Sequence, residues 1–75
     1  MFRSVTYTFV VTGMHCASCG MLVDDTVEDL PGVHRSNTSV RSGRTVVEAD
    51  PAQADPETIA AAISSAGYHS TLEAS

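Results

Sequence analysis

Cys16 and Cys19 are the only cysteines in the 75-residue chain, and only Ala17 and Ser18 lie between them. Two thiols at this spacing can close a disulfide, cycle between dithiol and disulfide, or hold a soft metal ion. A disulfide would close a very small loop, and a reducing cytosol works against it. Metal binding suits the pair better. Thiolates are soft ligands that favour Cu(I), Zn(II) and their toxic relatives; two of them satisfy Cu(I) in a near-linear arrangement, whereas a closed zinc site takes about four ligands. The count therefore favours Cu(I), with Zn(II) and Hg(II) as alternatives, and Hg(II) also accepts two thiolates. The pair stands where a strand-like run gives way to a helical one, in Gly13-Met14-His15-Cys16-Ala17-Ser18-Cys19. There the positive end of the helix lowers the pKa of Cys19 and opposes the negative charge that two thiolates and one monovalent ion leave behind.

The elements that must position this turn follow from periodicity. Ser4 to Thr12 alternates with Val5, Tyr7, Phe9 and Val11 on one face, which predicts a strand ended by Gly13. Cys19, Val23, Val27 and Leu30 recur at helical spacing and predict an amphipathic helix stopped by Pro31-Gly32. Val33 to Val40 reads as a weak strand, because Ser36 and Thr38 occupy positions where a buried face is normally apolar. Ser42-Gly43 turns the chain into a returning strand through Thr45, Val46, Val47 and Ala49, making a hairpin. Asp50 to Ala54 reads as a short linker. Asp55 as N-cap, Pro56 at the first helical position and Glu57 in the first turn open a second helix, with Ile59, Ala62, Ile63 and Ala66 as its apolar stripe and Gly67 at its end. Tyr68 to Leu72 makes a last short strand. The order strand, helix, strand, strand, helix, strand is that of the α+β ferredoxin-like βαββαβ sandwich, with four antiparallel strands and both helices on one face. Its expected core is Val5, Tyr7, Phe9, Val23, Val27, Leu30, Val47, Ile59 and Ile63.

Composition narrows what such a chain can do. At this length one small core is all that can be built, too little for a catalytic domain with a deep cleft, so residues 1–75 are expected to form one domain. The 43% hydrophobic content includes no apolar run near the ~18–20 residues a membrane span needs. Met1-Phe2-Arg3-Ser4-Val5-Thr6-Tyr7 lacks the layout of a signal peptide, and a cytoplasmic protein is expected. Four basic against nine acidic residues give a net charge of −5, which argues against nucleic acid or an anionic membrane as partner and for a partner with a basic patch. No carboxylate pair, Ser-His-Asp set or Gly-rich phosphate loop stands out, and the chain is not expected to be an enzyme.

Gly13-Met14-x-Cys16-x-x-Cys19, Leu30-Pro31-Gly32-Val33, Asp50-Pro51 and Ala66-Gly67-Tyr68, in that order, resemble the heavy-metal-associated domain family. That family includes small bacterial copper chaperones and the N-terminal metal-binding domains of copper- and zinc-transporting P-type ATPases. The resemblance implies the same fold, one metal ion carried between Cys16 and Cys19, and a copper-transporting P-type ATPase as partner. It also implies that Met14 points inward under the metal loop and that Tyr68 stands near that loop, as in the bacterial chaperones, where its hydroxyl can shield a sulfur. Ser36 and Thr38 depart from the family's usual apolar pattern.

The remaining polar residues are read plainly. His15 flanks the first cysteine, but neighbours on a turn point in different directions, so it is placed beside the metal and not on it. His69 should alternate away from Tyr68 into solvent. His34 belongs at the far end. Asp24, Asp25, Glu28 and Asp29 line the polar side of the first helix, as a solvated face or, alternatively, a docking surface. Three functions fit: a diffusible copper chaperone, which a chain starting at Met1 and stopping just past Leu72 suits; a metal-binding module of a transporter for copper, zinc or mercury, which Ala17-Ser18 also suits; and a thiol-disulfide redox protein. The small scaffold and the absence of a Pro or bulky residue between the cysteines count against the last. A carrier of this kind is expected to be a monomer without metal, with a metal-bridged dimer left open, and to exchange ligands first at Cys16, which precedes the helix, then at Cys19 within it.

Overall fold

The computed structural model describes residues 4–15 and 17–73. Its elements are β1 (Val5–Thr12), α1 (Ala17–Glu28), β2 (Val33–Ser39), β3 (Arg44–Ala49), α2 (Pro56–Ser65) and β4 (His69–Leu72). The strands form one antiparallel sheet in the order β2-β3-β1-β4. This is the ferredoxin-like βαββαβ sandwich, with α1 against β2 and α2 against β4.

Alternation decides which face is buried. Phe9 lies opposite Thr45 on β3 and Leu72 on β4, and Val11 lies opposite Ser70, so these residues share the face that the helices cover. Phe9, Val11, Val47 and Ala49 from the sheet meet Val23 and Val27 of α1 and Ile59 and Ile63 of α2, all buried. Each fully buried Val, Ile or Phe contributes roughly 1.5–3 kcal/mol of transfer free energy. The other face is polar and open, crossed by ion pairs from Arg35 to Glu48 at 3.7 Å and from Arg44 to Glu73 at 3.1 Å. Both pairs are solvated, so each is worth little.

The core differs from the expected one at its margins. Val5 is 36% exposed, because β4 reaches only as far back along β1 as Phe9 and leaves the start of β1 without a neighbour on that side. Tyr7 and Leu30 are half-buried against the core, Leu30 beyond the end of α1. Ala54 is fully buried, although it falls in the segment expected to be a linker. That segment is a tight turn organised by Asp50. The Asp50 carbonyl accepts from Gln53 N and Ala54 N at 3.0 and 2.9 Å, and its carboxylate accepts from Ala52 N at 2.9 Å. Asp50 N in turn donates to the Gly32 carbonyl at 2.8 Å. Gly32 has φ +87°, and a Cβ there would lie 2.5 Å from Gln53 Cβ, so only glycine fits.

Helix α2 begins as its sequence requires. The Asp55 carboxylate accepts from Thr58 N at 2.8 Å, and Pro56 fills the first turn, where a missing N–H costs nothing. The bond from the Thr58 amide holds the Asp55 carboxyl below its ordinary value of 3.8.

Strand β2 corrects two expectations at once. Ser36 and Thr38 do not weaken it; they join it to α1. The Asp24 carboxylate accepts from Ser36 Oγ at 2.7 Å, Thr38 Oγ1 at 2.6 Å and Thr38 N at 3.1 Å, while Glu28 accepts from Ser36 N at 3.1 Å. Asp24 is therefore half-buried against β2 and not part of a solvated face, and Glu28, though exposed, is bonded to the same strand, whereas Asp25 and Asp29 are exposed. Thr38 Oγ1 lies 2.8 Å from Thr45 Oγ1 on β3. A hydroxyl has one proton, and that of Thr38 goes to a carboxylate that can only accept, so Thr45 is the donor in this contact. Thr45 is fully buried and Ser36 only 6% exposed, so the network satisfies groups that would otherwise be costly to bury.

The two edges of the sheet are finished differently. On β2 the amides of Ser36 and Thr38 point away from β3 and are taken up by the two carboxylates of α1. On β4, Glu73 N donates to Thr8 O at 2.8 Å, and the alternation of the ladder turns the amides of Ser70 and Leu72 outward.

Candidate metal centre

The cysteine turn sits at one end of the sheet, where three connections converge. Strand β1 leaves the sheet at Thr12, opposite His69 at the start of β4, which places the connection from α2 to β4 beside it. Strand β3 starts at Arg44 opposite Val10, and Val11 N donates to the Gly43 carbonyl at 2.8 Å, which brings the hairpin turn alongside. Gly13 breaks β1 with φ +95°, a conformation that a side chain at this position would strain.

Cys19 is the third residue of α1 and is half-buried. Cys16 lies outside the described residues. The first turn of α1 carries no acidic residue, so the partial positive charge of the helix start is not spent on a carboxylate. Gly20 follows Cys19 directly and is buried against β2: a Cβ there would stand 2.9 Å from Val40 Cγ2 and 3.3 Å from Thr38 Cγ2. The absence of a side chain lets the thiol-bearing turn lie down on the strand.

Met14 is half-buried and packs against the core. Tyr68 also packs against the core, and its ring stands by the loop, with Cδ1 3.5 Å from where a Gly13 Cβ would be. His15 is exposed on the loop. His69 is exposed and shares the open face of the sheet with Thr12, away from the core. His34 is exposed at the opposite end, next to Val33, which pairs with Ala49. Among the described residues no three His, Cys, Asp or Glu side chains gather as a ligand set, and no pocket forms.

Sequence reasoning passed over Gly20, and gave Asp24, Glu28, Ser36 and Thr38 other roles than the one they share. Their signal was present as Gly20, Asp24 and Glu28 at successive helical turns, matched by hydroxyl residues alternating on a strand. It carried little weight because helical carboxylates are usually solvated.

Among the described residues no helix is long and apolar enough to cross a membrane. The chain is 36% identical over 64 residues to a copper-transporting ATPase of Arabidopsis thaliana, an alignment that takes in 85% of the chain and 6% of that protein. It is 34% identical over 68 residues to the mercuric transport protein periplasmic component of Salmonella typhi, covering 91% of the chain and 75% of the relative. Among solved structures it superposes on the crystal structure of a copper-binding domain from a P-type ATPase with a TM-score of 0.90 at 29% identity, covering 92% of this chain and 93% of that one. The chain spans only 6% to 13% of the ATPases and mercuric reductases it matches. The profile of the heavy-metal-associated domain matches residues 8–69, from the middle of β1 to the first residue of β4, and the chain belongs to that family of domains.

Proposed function

We propose that this domain carries one Cu(I) ion between the thiolates of Cys16 and Cys19 and passes it, in the cytoplasm, to the metal-binding domain of a copper-transporting P-type ATPase. The observation that carries this reading is the placement of Cys19 in a first helical turn without carboxylates, at the surface end of the sheet. Cu(I) is the cargo, and the donor set fits it: two soft sulfurs two residues apart, the number that satisfies Cu(I). Met14, packed against the core two residues before Cys16, and Tyr68, whose ring lies near Gly13, support this reading as residues that hold the ligand loop. Met21 and Leu22, exposed at 66% and 47% just after Cys19 and Gly20, offer apolar surface beside the exposed Asp25 for a partner with basic groups.

Transfer needs no redox step. A partner thiolate attacks the ion and forms a third Cu–S bond, the Cu–S bond to Cys16 breaks, and the same exchange then releases Cys19. Cys16 leaves first because it precedes the helix that anchors Cys19. A Cys16→Ser variant that still transferred copper at the wild-type rate while Cys19→Ser did not would reverse this order.

The reading is tested by anaerobic titration of the fully reduced protein with Cu(I), Zn(II) and Hg(II) against chelators of known affinity, with size-exclusion chromatography of the loaded samples. One Cu(I) bound tightly, not displaced by excess Zn(II) and lost when both cysteines are serine, is the expected result. Preference for Zn(II) or Hg(II) would remove copper as the cargo. A Hg(II) preference would match the mercuric transport relative.

A further inference from the structure

We infer that the polar stripe between α1 and β2 fixes where the metal-binding turn sits, with Thr38 and Asp24 as its positioning residues. Gly20, Asp24 and Glu28 stand one turn apart on α1 and all face the same strand. Gly20 lets the helix approach until its backbone meets Val40 and Thr38. One turn on, Asp24 takes three hydrogen bonds from Ser36 and Thr38, and a further turn on, Glu28 takes the Ser36 amide. Thr45 extends the network to β3 by donating to Thr38.

Apolar side chains such as Val23 and Val27 hold a helix against a sheet but tolerate a slide of a fraction of a turn with modest loss, since dispersion and burial are non-directional. Hydrogen bonds at 2.6 to 2.7 Å to one carboxylate do not. The bonds at Asp24 therefore set the height of α1 along β2, and Cys19, five positions earlier on the same rigid helix, inherits it. The loop before Cys19 leads directly out of β1, which is bonded into the same sheet. Both ends of the cysteine turn are thus referred to one frame, and the polar stripe closes it. The bonds at Asp24 and Glu28 lie one and two turns beyond Gly20, so they act through the helix.

This rests on the proposed function for its metal-binding arm only. The test compares Thr38→Val, which keeps the shape and removes the hydroxyl; Thr38→Ser, which restores the hydroxyl; and Val47→Ala, which loosens the core opposite Ser36 while removing none of the stripe's hydrogen-bonding groups. Two quantities are read: Cu(I) affinity by chelator competition, and the rate at which iodoacetamide alkylates Cys19 in the metal-free Cys16→Ser background. Thr38→Val is expected to weaken Cu(I) binding about tenfold, the lower end of what loss of a supporting interaction costs a metal site. It should also speed alkylation of Cys19, while Thr38→Ser matches the wild type and Val47→Ala changes neither reading despite lower stability. The inference is overturned if Thr38→Val leaves both readings at wild-type values, or if Val47→Ala moves them as far. Should Thr38→Val not fold, Asp24→Asn replaces it, since an amide retains acceptors for the hydroxyls but turns an NH2 toward the Thr38 amide. If the wild type binds no Cu(I), the proposed function fails, and the alkylation rates still decide whether the stripe positions Cys19.

Discussion

The two helices lie side by side on one face of the sheet and are held there by different physics. Helix α2 is kept in place by Ile59 and Ile63, both fully buried, and among the described residues its one side-chain bond to the backbone is its own N-cap. Helix α1 buries Val23 and Val27 in the same core, and its Asp24 and Glu28 also accept four hydrogen bonds from β2. Greasy contact is enough for a helix that carries no chemistry. The helix that bears a thiol is fixed by directional bonds, which cost desolvation of a carboxylate but leave one position along the strand.

The contrast can be broken by exchanging what each helix loses. Ile63→Ala is expected to have the largest effect on stability, about 3 kcal/mol, because it leaves a cavity under α2. Its signature is a lower urea midpoint with metal affinity unchanged; a matching loss of affinity would mean that the helices are not independent. Asp24→Ala should cost about 2 kcal/mol by stranding buried donors on β2, and unlike the first variant it should weaken metal binding as well. Gly20→Ala sets two effects against each other. Alanine gains about 1 kcal/mol of helix propensity, but a methyl 2.9 Å from Val40 overpacks a tight contact by about 2 kcal/mol, so a net loss of about 1 kcal/mol is expected in urea unfolding. A stabilised variant would show that α1 can lift off β2 freely.

The smallest effect belongs to the cap of α2 and depends on pH. Asp55 has its folded pKa depressed below 3.8 by the Thr58 amide, so its contribution is present above the unfolded value and is lost as pH falls through the folded one. Asp55→Asn keeps the cap without titrating. Wild type and variant should therefore have similar urea midpoints at neutral pH, and the wild type should lose ground to the variant when pH falls below 3.8. Parallel pH profiles would show that the cap adds nothing beyond an uncharged acceptor.

The same contrast explains what could be read from the chain in advance. Helix α2 was legible throughout, because Asp55, Pro56 and the Ile59/Ile63 spacing are local signals. The sheet followed from alternation. What escaped was long-range and polar. Ser36 and Thr38 looked like defects in a buried face, and their partners stand on α1, twelve and fourteen residues from Asp24. Nothing local distinguishes a carboxylate that will be enclosed from one that will be solvated. Ala54 escaped for a related reason: its burial depends on a turn folded against Gly32, two elements earlier in the chain. Val5 was misplaced because alternation assigns a face and says nothing of how far the neighbouring strand extends.

The unequal edges of the sheet also bear on how the domain behaves at high concentration. Growth of a cross-strand fibre requires each unit to offer two open edges, one to receive and one to extend. Here Asp24 and Glu28 occupy the outward amides in the middle of β2, whereas the amides of Ser70 and Leu72 on the four-residue β4 face outward, on the same side as the start of β1 that β4 does not reach. Strand addition to the folded domain is thereby limited to a single neighbour, a pair that closes on itself and cannot propagate.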